Sequence, residues 1–240
     1  MKKEKVNKIF ESIANKYDLM NDLMSLGIHR KWKRDLVKHL DLDKNKNNSI
    51  LDLGCGTGDI ISNIIKSKKN LKFQAYLVDP NIKMIEEGKK KLKQKNLIWL
   101  SSYGENLPFK NNKFDLVTMA FSLRNVENIK KTLNEVNRVL KKNGQFICLE
   151  FGKVKNLAVN SIYKIYSENL IPEIGEKITG NKDAYTYLIE SIKKFPSQEE
   201  ICKILKLKNF YNVKYYELSF GVAVIYSCKK KIHNYFNLVN

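Results

Sequence analysis

An α/β fold, doubly wound about a mostly parallel sheet, is predicted by three observations. A short apolar strand, a glycine turn and an amphipathic helix succeed one another over residues 49–66. Further strand-then-helix units follow in alternation, which calls for right-handed crossovers and helices on both faces of the sheet. Near the carboxyl terminus two strand-like segments, 212–218 and 222–228, are joined by Ser219-Phe-Gly221 and read as an antiparallel hairpin. This makes seven strands, with a helical preface before the first and a helical insertion before the last two.

The stretch Ile50-Leu-Asp-Leu-Gly-Cys-Gly-Thr-Gly-Asp59 organises the rest. Residues 49–53 form a buried strand, and Gly54, Gly56 and Gly58 let the backbone turn sharply and approach a ligand. Helical spacing resumes at Ile60, Ile61, Ile64 and Ile65, so the free N–H groups of a helix start face whatever anionic group sits there. The spacing is GxGxG and not the dinucleotide GxGxxG. Residues 73–78 form the next strand, and Asp79 ends it, 21 residues after Gly58. A carboxylate there can accept both hydroxyls of a ribose. The loop with Asp52 and Asp79 resembles the class I, Rossmann-like S-adenosylmethionine-dependent methyltransferases. That resemblance implies S-adenosylmethionine as cofactor, held by Asp52, Gly54, Gly56, Thr57, Gly58 and Asp79, with Tyr103, Gly104 and Ala120 completing the cradle.

The remaining elements are read in chain order. Residues 5–24 carry apolar groups at helical spacing, and a second helix runs over 30–40. A helix at 82–95 leads to a third strand at 97–100. A loop follows over 101–109, with Pro108 barring a helix. The fourth strand is 113–119, in which Asp115, near its beginning, is structural. A helix at 129–140 is expected to stop at Gly144, and the fifth strand, 145–150, delivers Glu150 to the ligand-binding edge. Helical material is expected at 162–170 and 184–194. The whole of 1–240 forms one methyltransferase domain: a helical lid (1–45), the cofactor-binding core (49–151), a helical substrate insertion (153–200), a terminal helix and hairpin (201–228) and a loosely ordered tail (229–240).

Composition excludes several classes. The chain has 240 residues, 43% of them hydrophobic, and no apolar run of the ~18–20 residues that a membrane span requires. The charged start, Met1-Lys-Lys-Glu-Lys-Val, lacks the apolar stretch of a signal peptide, so a cytoplasmic protein is expected. Cys55, Cys148, Cys202 and Cys228 form no CxxC pair, and no metal site is expected. The net charge of +19 suits nucleic acid or an anionic membrane surface, although lysine is abundant throughout.

A second, more specific resemblance lies outside the glycine loop. Tyr17-Asp-x-Met-Asn21 with Ser25, His29 and Trp32 is similar to the first signature of the ubiquinone/menaquinone biosynthesis C-methyltransferases. Leu123-Arg-Asn-Val126, Arg138-Val-Leu-Lys141 with Gly144 and Glu150, and Asp183-Ala-Tyr-Thr-Tyr-Leu-Ile-Glu-Ser191 with Pro196 also resemble that family. The likeness runs from about Val6 to Cys228. It departs at Lys141-Lys-Asn-Gly144 for Lys-Pro-Gly-Gly, at Gly152 for serine, at Ser122 for glycine, and at Tyr103-Gly104, where a small polar or acidic residue commonly faces the adenine.

The resemblance implies carbon methylation of a polyprenyl benzoquinol or demethylmenaquinol. Arg124 and Asn125 are then expected at the ring oxygen, Tyr17 or a water held by Arg124 as the proton relay, and His29 as the runner-up base. Asn21, Tyr185 and Tyr187 are expected to line the quinol pocket. It further implies a peripheral membrane contact and a quinone-biosynthesis complex, and leaves a homodimer open. A nucleic-acid methyltransferase is the first alternative, disfavoured because no Asn/Asp-Pro-Pro-aromatic motif is present; nucleic acid is not expected as a partner. Another small-molecule methyltransferase and a non-catalytic cofactor-binding subunit are the others.

Overall fold

The computed structural model describes residues 2–13, 19, 21–22, 25–157, 161 and 182–232. Tyr17, the helix expected at 162–170, and residues 233–240 of the tail lie outside them.

Seven strands form one sheet in the order β3-β2-β1-β4-β5-β7-β6. They are β1 (Asn48–Leu53), β2 (Phe73–Asp79), β3 (Leu97–Ser101), β4 (Phe114–Ala120), β5 (Leu140–Phe151), β6 (Phe210–Leu218) and β7 (Ala223–Lys230). The first five are parallel, while β7 runs antiparallel between β5 and β6. The expected hairpin is therefore present, and its second strand is the inner one. Chain order reverses between β1 and β4, so their carboxyl ends open the crevice where ligands of such sheets bind.

Adjacent residues of β1 serve opposite faces. Ile50 packs with Trp32, Leu36, Ile61 and Ile64 on one side. Leu51 packs with Leu133, Val136, Ile201 and Leu205 on the other. Helices α2 (Ile28–Lys38) and α3 (Asp59–Ser67) thus cover the first face, and α5 (Ile129–Val139) and α7 (Gln198–Leu207) the second. Each such fully buried aliphatic side chain contributes about 1.5–3 kcal/mol, so the sheet is fixed from both sides before any functional group is counted. Helix α1 (Lys2–Ile13), α4 (Ile82–Lys91) and α6 (Lys182–Lys194) complete the described helices.

Strands β5 and β6 begin earlier than expected, at Leu140 and Phe210, and two helix ends differ for local reasons. Helix α4 ends at Lys91 because Leu92 turns extended and is buried. Helix α5 ends at Val139 because Leu140 is already extended and pairs with Phe114. The left-handed residue of the following turn is Asn143, at φ 64°, and not Gly144; asparagine tolerates that conformation better than most residues. Asp115 accepts hydrogen bonds from Ser49 N (2.9 Å), Lys141 Nζ (2.8 Å) and Lys46 Nζ (3.1 Å), tying the amino ends of β1 and β4 together. Helix α7 opens with a reciprocal capping box between Ser197 and Glu200. No helix among the described residues is long and apolar enough to cross a membrane.

Candidate active site

The glycine turn sits at the carboxyl end of β1. Gly54 has φ 67°, and a Cβ there would stand 2.4 Å from Ser122 Cβ, so neither its conformation nor its surroundings admit a side chain. Gly54 N and Cys55 N both donate to Val78 O, at 2.7 and 3.1 Å, locking the turn against β2. Asp79 follows Val78. Its Oδ2 accepts from Gly56 N and its Oδ1 from Asn81 N, each at 2.9 Å. Burial pushes its carboxyl up to about 6 against these backbone donors.

A cleft opens above the turn, lined among others by Phe10, Gly54, Gly56, Asp79, Met84, Tyr103, Gly104, Ala120 and Asn125. Helix α1 forms its roof. Asn81 Nδ2 donates to both Asn7 O (3.1 Å) and Asn7 Oδ1 (2.9 Å), while Asn81 Oδ1 caps α4 at Met84 N. A smaller cleft shares Gly54, Gly56 and Ala120 with the first and adds Lys33, Asp52, Thr57 and Asp59. Asp52 is buried; Thr118 Oγ1 donates to its Oδ1 at 2.7 Å, and burial pushes it up to about 7. Asp52 Oδ2 and Thr57 Oγ1 are buried without a hydrogen-bond partner among the described residues. Unmet polar atoms beside a glycine cradle and a ribose-type carboxylate suit a ligand that is nucleoside at one end and amino acid at the other.

Beyond β4 the backbone is strained. Phe121 has φ 56°, an uncommon conformation for a bulky residue at a cost of order 1–3 kcal/mol. The kink turns its carbonyl toward a 3₁₀ turn, Leu123–Asn125, where it accepts from Arg124 Nη1 (2.6 Å) and Asn125 Nδ2 (3.3 Å). Arg124 Nη1 also lies 2.8 Å from Glu150 Oε1, and Arg124 N donates to Glu150 Oε2 at 3.2 Å. Tyr187, on α6, donates its hydroxyl to Asn125 Oδ1 at 3.1 Å.

A glycine-turn cradle, a reversal of strand order above it and an arginine–asparagine turn beyond β4 are thus in one place. The ubiE/COQ5 methyltransferase family matches residues 1–230. The chain belongs to that family.

Among its relatives, the ubiquinone/menaquinone biosynthesis C-methyltransferase UbiE of Rickettsia bellii is 45% identical, over 95% of this chain and 94% of the relative. Two solved structures carry the same fold. A methyltransferase from Haloferax volcanii, solved with the Trm112 activator, has a TM-score of 0.69 at 14% identity, covering 95% of this chain and 99% of its own. An S-adenosylmethionine-dependent methyltransferase from Thermotoga maritima has a TM-score of 0.66 at 21% identity, covering 94% and 100%. The fold is that of class I methyltransferases, and S-adenosylmethionine is the cofactor.

The methyltransferase brings the expected cofactor residues together: Asp52, Gly54, Gly56, Thr57, Asp79, Tyr103, Gly104 and Ala120 line the two joined clefts, and Gly58, at φ 84°, turns the chain into α3. Asn125 lines the larger cleft. Arg124 and Tyr187 line a neighbouring cavity, which shares Val6, Val126 and Glu127 with it. His29 stands apart from all three. It is buried, its Nδ1 lies 2.8 Å from Ser25 Oγ, and burial, followed by the Lys33 charge, draws it down to about 4. Ser25 Oγ in turn donates to Asn21 O at 2.7 Å, so Asn21, Ser25 and His29 form one hydrogen-bonded unit at the start of α2. Tyr185 falls within α6, but its side chain, like Tyr17, lies outside the described residues.

Three contributors were not singled out from the sequence. Lys33 and Asn7 sit on ordinary amphipathic helices and gain meaning only through partners 26 and 74 residues away. Phe121 is disguised because its residue type argues against the conformation it holds.

Proposed function

We propose that this methyltransferase transfers the methyl of S-adenosylmethionine to a ring carbon of a polyprenyl benzoquinol, a demethylmenaquinol, or both. The single observation that carries the acceptor site is the Asn125–Tyr187 hydrogen bond where the cofactor cleft meets the neighbouring cavity. A ring held there has the cofactor cleft on one side and Arg124 on the other.

The cofactor, when bound, supplies an electrophilic methyl on a sulfonium. The chain must make a ring carbon nucleophilic and align it. Loss of a ring-hydroxyl proton sends electron density to the adjacent carbon. A donor aimed at the oxygen favours that loss by holding the resulting oxyanion. Arg124 offers Nε, which is buried and lacks a hydrogen-bond partner among the described residues; a charged hydrogen bond contributes roughly 1.5–3 kcal/mol. Glu150 and the Phe121 carbonyl fix the guanidinium, and Asn125, itself held by Tyr187, orients the same oxygen. The ring proton leaves after the new carbon–carbon bond forms, restoring aromaticity. Tyr17, or a water on Arg124, relays the released proton to solvent in this reading. His29, drawn down to about 4 by burial, is a poorer direct base for that hydroxyl than an ordinary imidazole.

A polyprenyl tail must avoid water. Exposed Leu26, Ile28 and Phe220 lie on or beside α2, since Trp32 Nε1 donates to Ser219 Oγ at 3.0 Å and brings the 219–221 turn to that helix. With the basic surface, they support a peripheral contact with an anionic leaflet.

Labelled S-adenosylmethionine, offered with short-tailed demethylated benzoquinol and naphthoquinol beside bulk RNA, tests the reading. Label on the quinol ring carbon, lost in Arg124→Ala, is expected. Label on RNA alone would overturn it.

A further inference from the structure

Lys33 is only 6% exposed, unusual for a lysine, and α2 aims it at the amino end of α3, where its Nζ lies 2.5 Å from Asp59 Oδ2. A sequestered ammonium is unfavourable unless its charge is answered. Burial works to raise the Asp59 carboxyl, yet the Lys33 charge and hydrogen bond override it and hold the group below its ordinary value. The pair is therefore ionised, and it forms one wall of the smaller cleft.

The same cleft supplies the second observation. Asp52 Oδ2 and Thr57 Oγ1 are buried there without partners among the described residues. The residues that line this cleft thus include an ammonium, a carboxylate and a hydroxyl, the last two with an unmet oxygen each, and it shares Gly54, Gly56 and Ala120 with the nucleoside cleft. Its complement is a zwitterion continuous with a nucleoside.

We infer that Lys33 is the anchor for the carboxylate of the cofactor's amino-acid end, with Asp52 accepting from its ammonium and Asp59 holding the Lys33 side chain in register. This rests on the cofactor and goes beyond it by giving the helical preface a direct part in binding. Helix α2, which carries His29 and Trp32, is then drawn down by the same ligand that fills the glycine cradle. An ammonium has three donors in rotatable positions, so Asp59 can retain one while the ligand takes another.

The test compares ligands that differ only in the group Lys33 would read. Dissociation constants are measured by calorimetry for S-adenosylhomocysteine, for its decarboxylated analogue, and for 5′-methylthioadenosine. On the wild type, removing the carboxylate is expected to weaken binding 10- to 100-fold, the range of one charged hydrogen bond. Lys33→Met keeps the apolar stem and is expected to lose a similar factor for S-adenosylhomocysteine, so that the two amino-bearing ligands converge. Its affinity for 5′-methylthioadenosine should stay within threefold. Equal losses for all three ligands would overturn the inference, since a merely structural lysine acts that way. So would wild-type protein that binds the decarboxylated analogue as tightly as the parent, a result that needs no variant to fold. Failure of the wild type to bind S-adenosylhomocysteine would instead overturn the cofactor itself.

Discussion

Arg124 and Glu150 meet at 2.8 Å where solvent barely reaches either: Glu150 is 0% and Arg124 9% exposed. The pair fixes β4's exit to the end of β5, and the guanidinium also lies 5.2 Å over the Phe151 ring. Removing one charge leaves the other buried and unanswered, at a cost of about 3–5 kcal/mol. Glu150→Gln should therefore lower the unfolding midpoint in a denaturant titration and also depress kcat at temperatures where the variant is still folded. The double variant Glu150→Gln/Arg124→Met should regain part of the stability and none of the turnover. A Glu150→Gln enzyme with wild-type kcat would show that Arg124 needs no holding.

Tyr187→Phe deletes one hydroxyl and its bond to Asn125. A neutral hydrogen bond is worth roughly 0.5–1.5 kcal/mol, so kcat/KM for a short-tailed quinol should fall about three- to tenfold. The dissociation constant for S-adenosylhomocysteine should not change, because Tyr187 lines the neighbouring cavity and not the cofactor cleft. Parallel steady-state and calorimetric measurements separate the two effects. A matching loss in cofactor affinity would remove Tyr187 from the acceptor site.

Asp52 and Asp79 give a pH dependence whose sign is fixed. Burial raises both carboxyls from the ordinary 3.8, to about 7 and about 6. The folded protein then holds protons that the unfolded chain has released. Their contribution to stability is complete below pH 3.8 and fades as the pH rises through 6 and 7. An amide in place of the Asp52 carboxyl cannot titrate. In Asp52→Asn the difference in unfolding free energy from wild type should therefore move in the variant's favour between about pH 4 and pH 8. Urea titrations across that range measure it, and an opposite slope would mean that Asp52 titrates below 3.8 in the fold. By the same ionisation, wild-type affinity for S-adenosylhomocysteine should strengthen from about pH 5.5 to 7.5.

Gly54→Ala meets two penalties. A left-handed conformation costs an L-residue about 1–2 kcal/mol, and the new methyl would collide with Ser122 at 2.4 Å. Ser122→Gly removes the collision and leaves the φ strain. Thermal unfolding of the single and double variants should show the double recovering part, not all, of the loss. Full recovery would mean that the left-handed backbone at residue 54 carries no strain.

What the sequence disclosed of the site was local chemistry. The glycine turn, Asp52 and Asp79 are constrained by strands and turns within thirty residues, so their types could be read from local spacing. Strand number, order of elements and the terminal hairpin followed from periodicity for the same reason. Lys33 was hidden because its importance comes from the packing of α2 against α3, which no spacing announces. Gly144 misled because glycine permits a left-handed turn without requiring it, and the neighbouring Asn143 took that conformation instead. His29 looked like a base from its ordinary pKa; burial and the Lys33 charge alter that property only once the chain is folded.

Strand β7 occupies an interior seat although it comes last in chain order among the described strands. Every residue from Gln145 to Phe151 on β5 pairs with one between Lys229 and Ala223, Glu150 opposite Val224 among them. Strand β6, at the rim, joins the sheet through β7 alone. Without β7, β5 would keep a bare edge and β6 would have no strand to pair with. One segment of 8 residues, 223–230, settles both at once. The edge it closes carries the acid that grips Arg124. Damage confined to 223–230 would therefore reach Arg124 through the end of β5 while leaving the β1–β2–β4 pairing beneath the glycine turn intact.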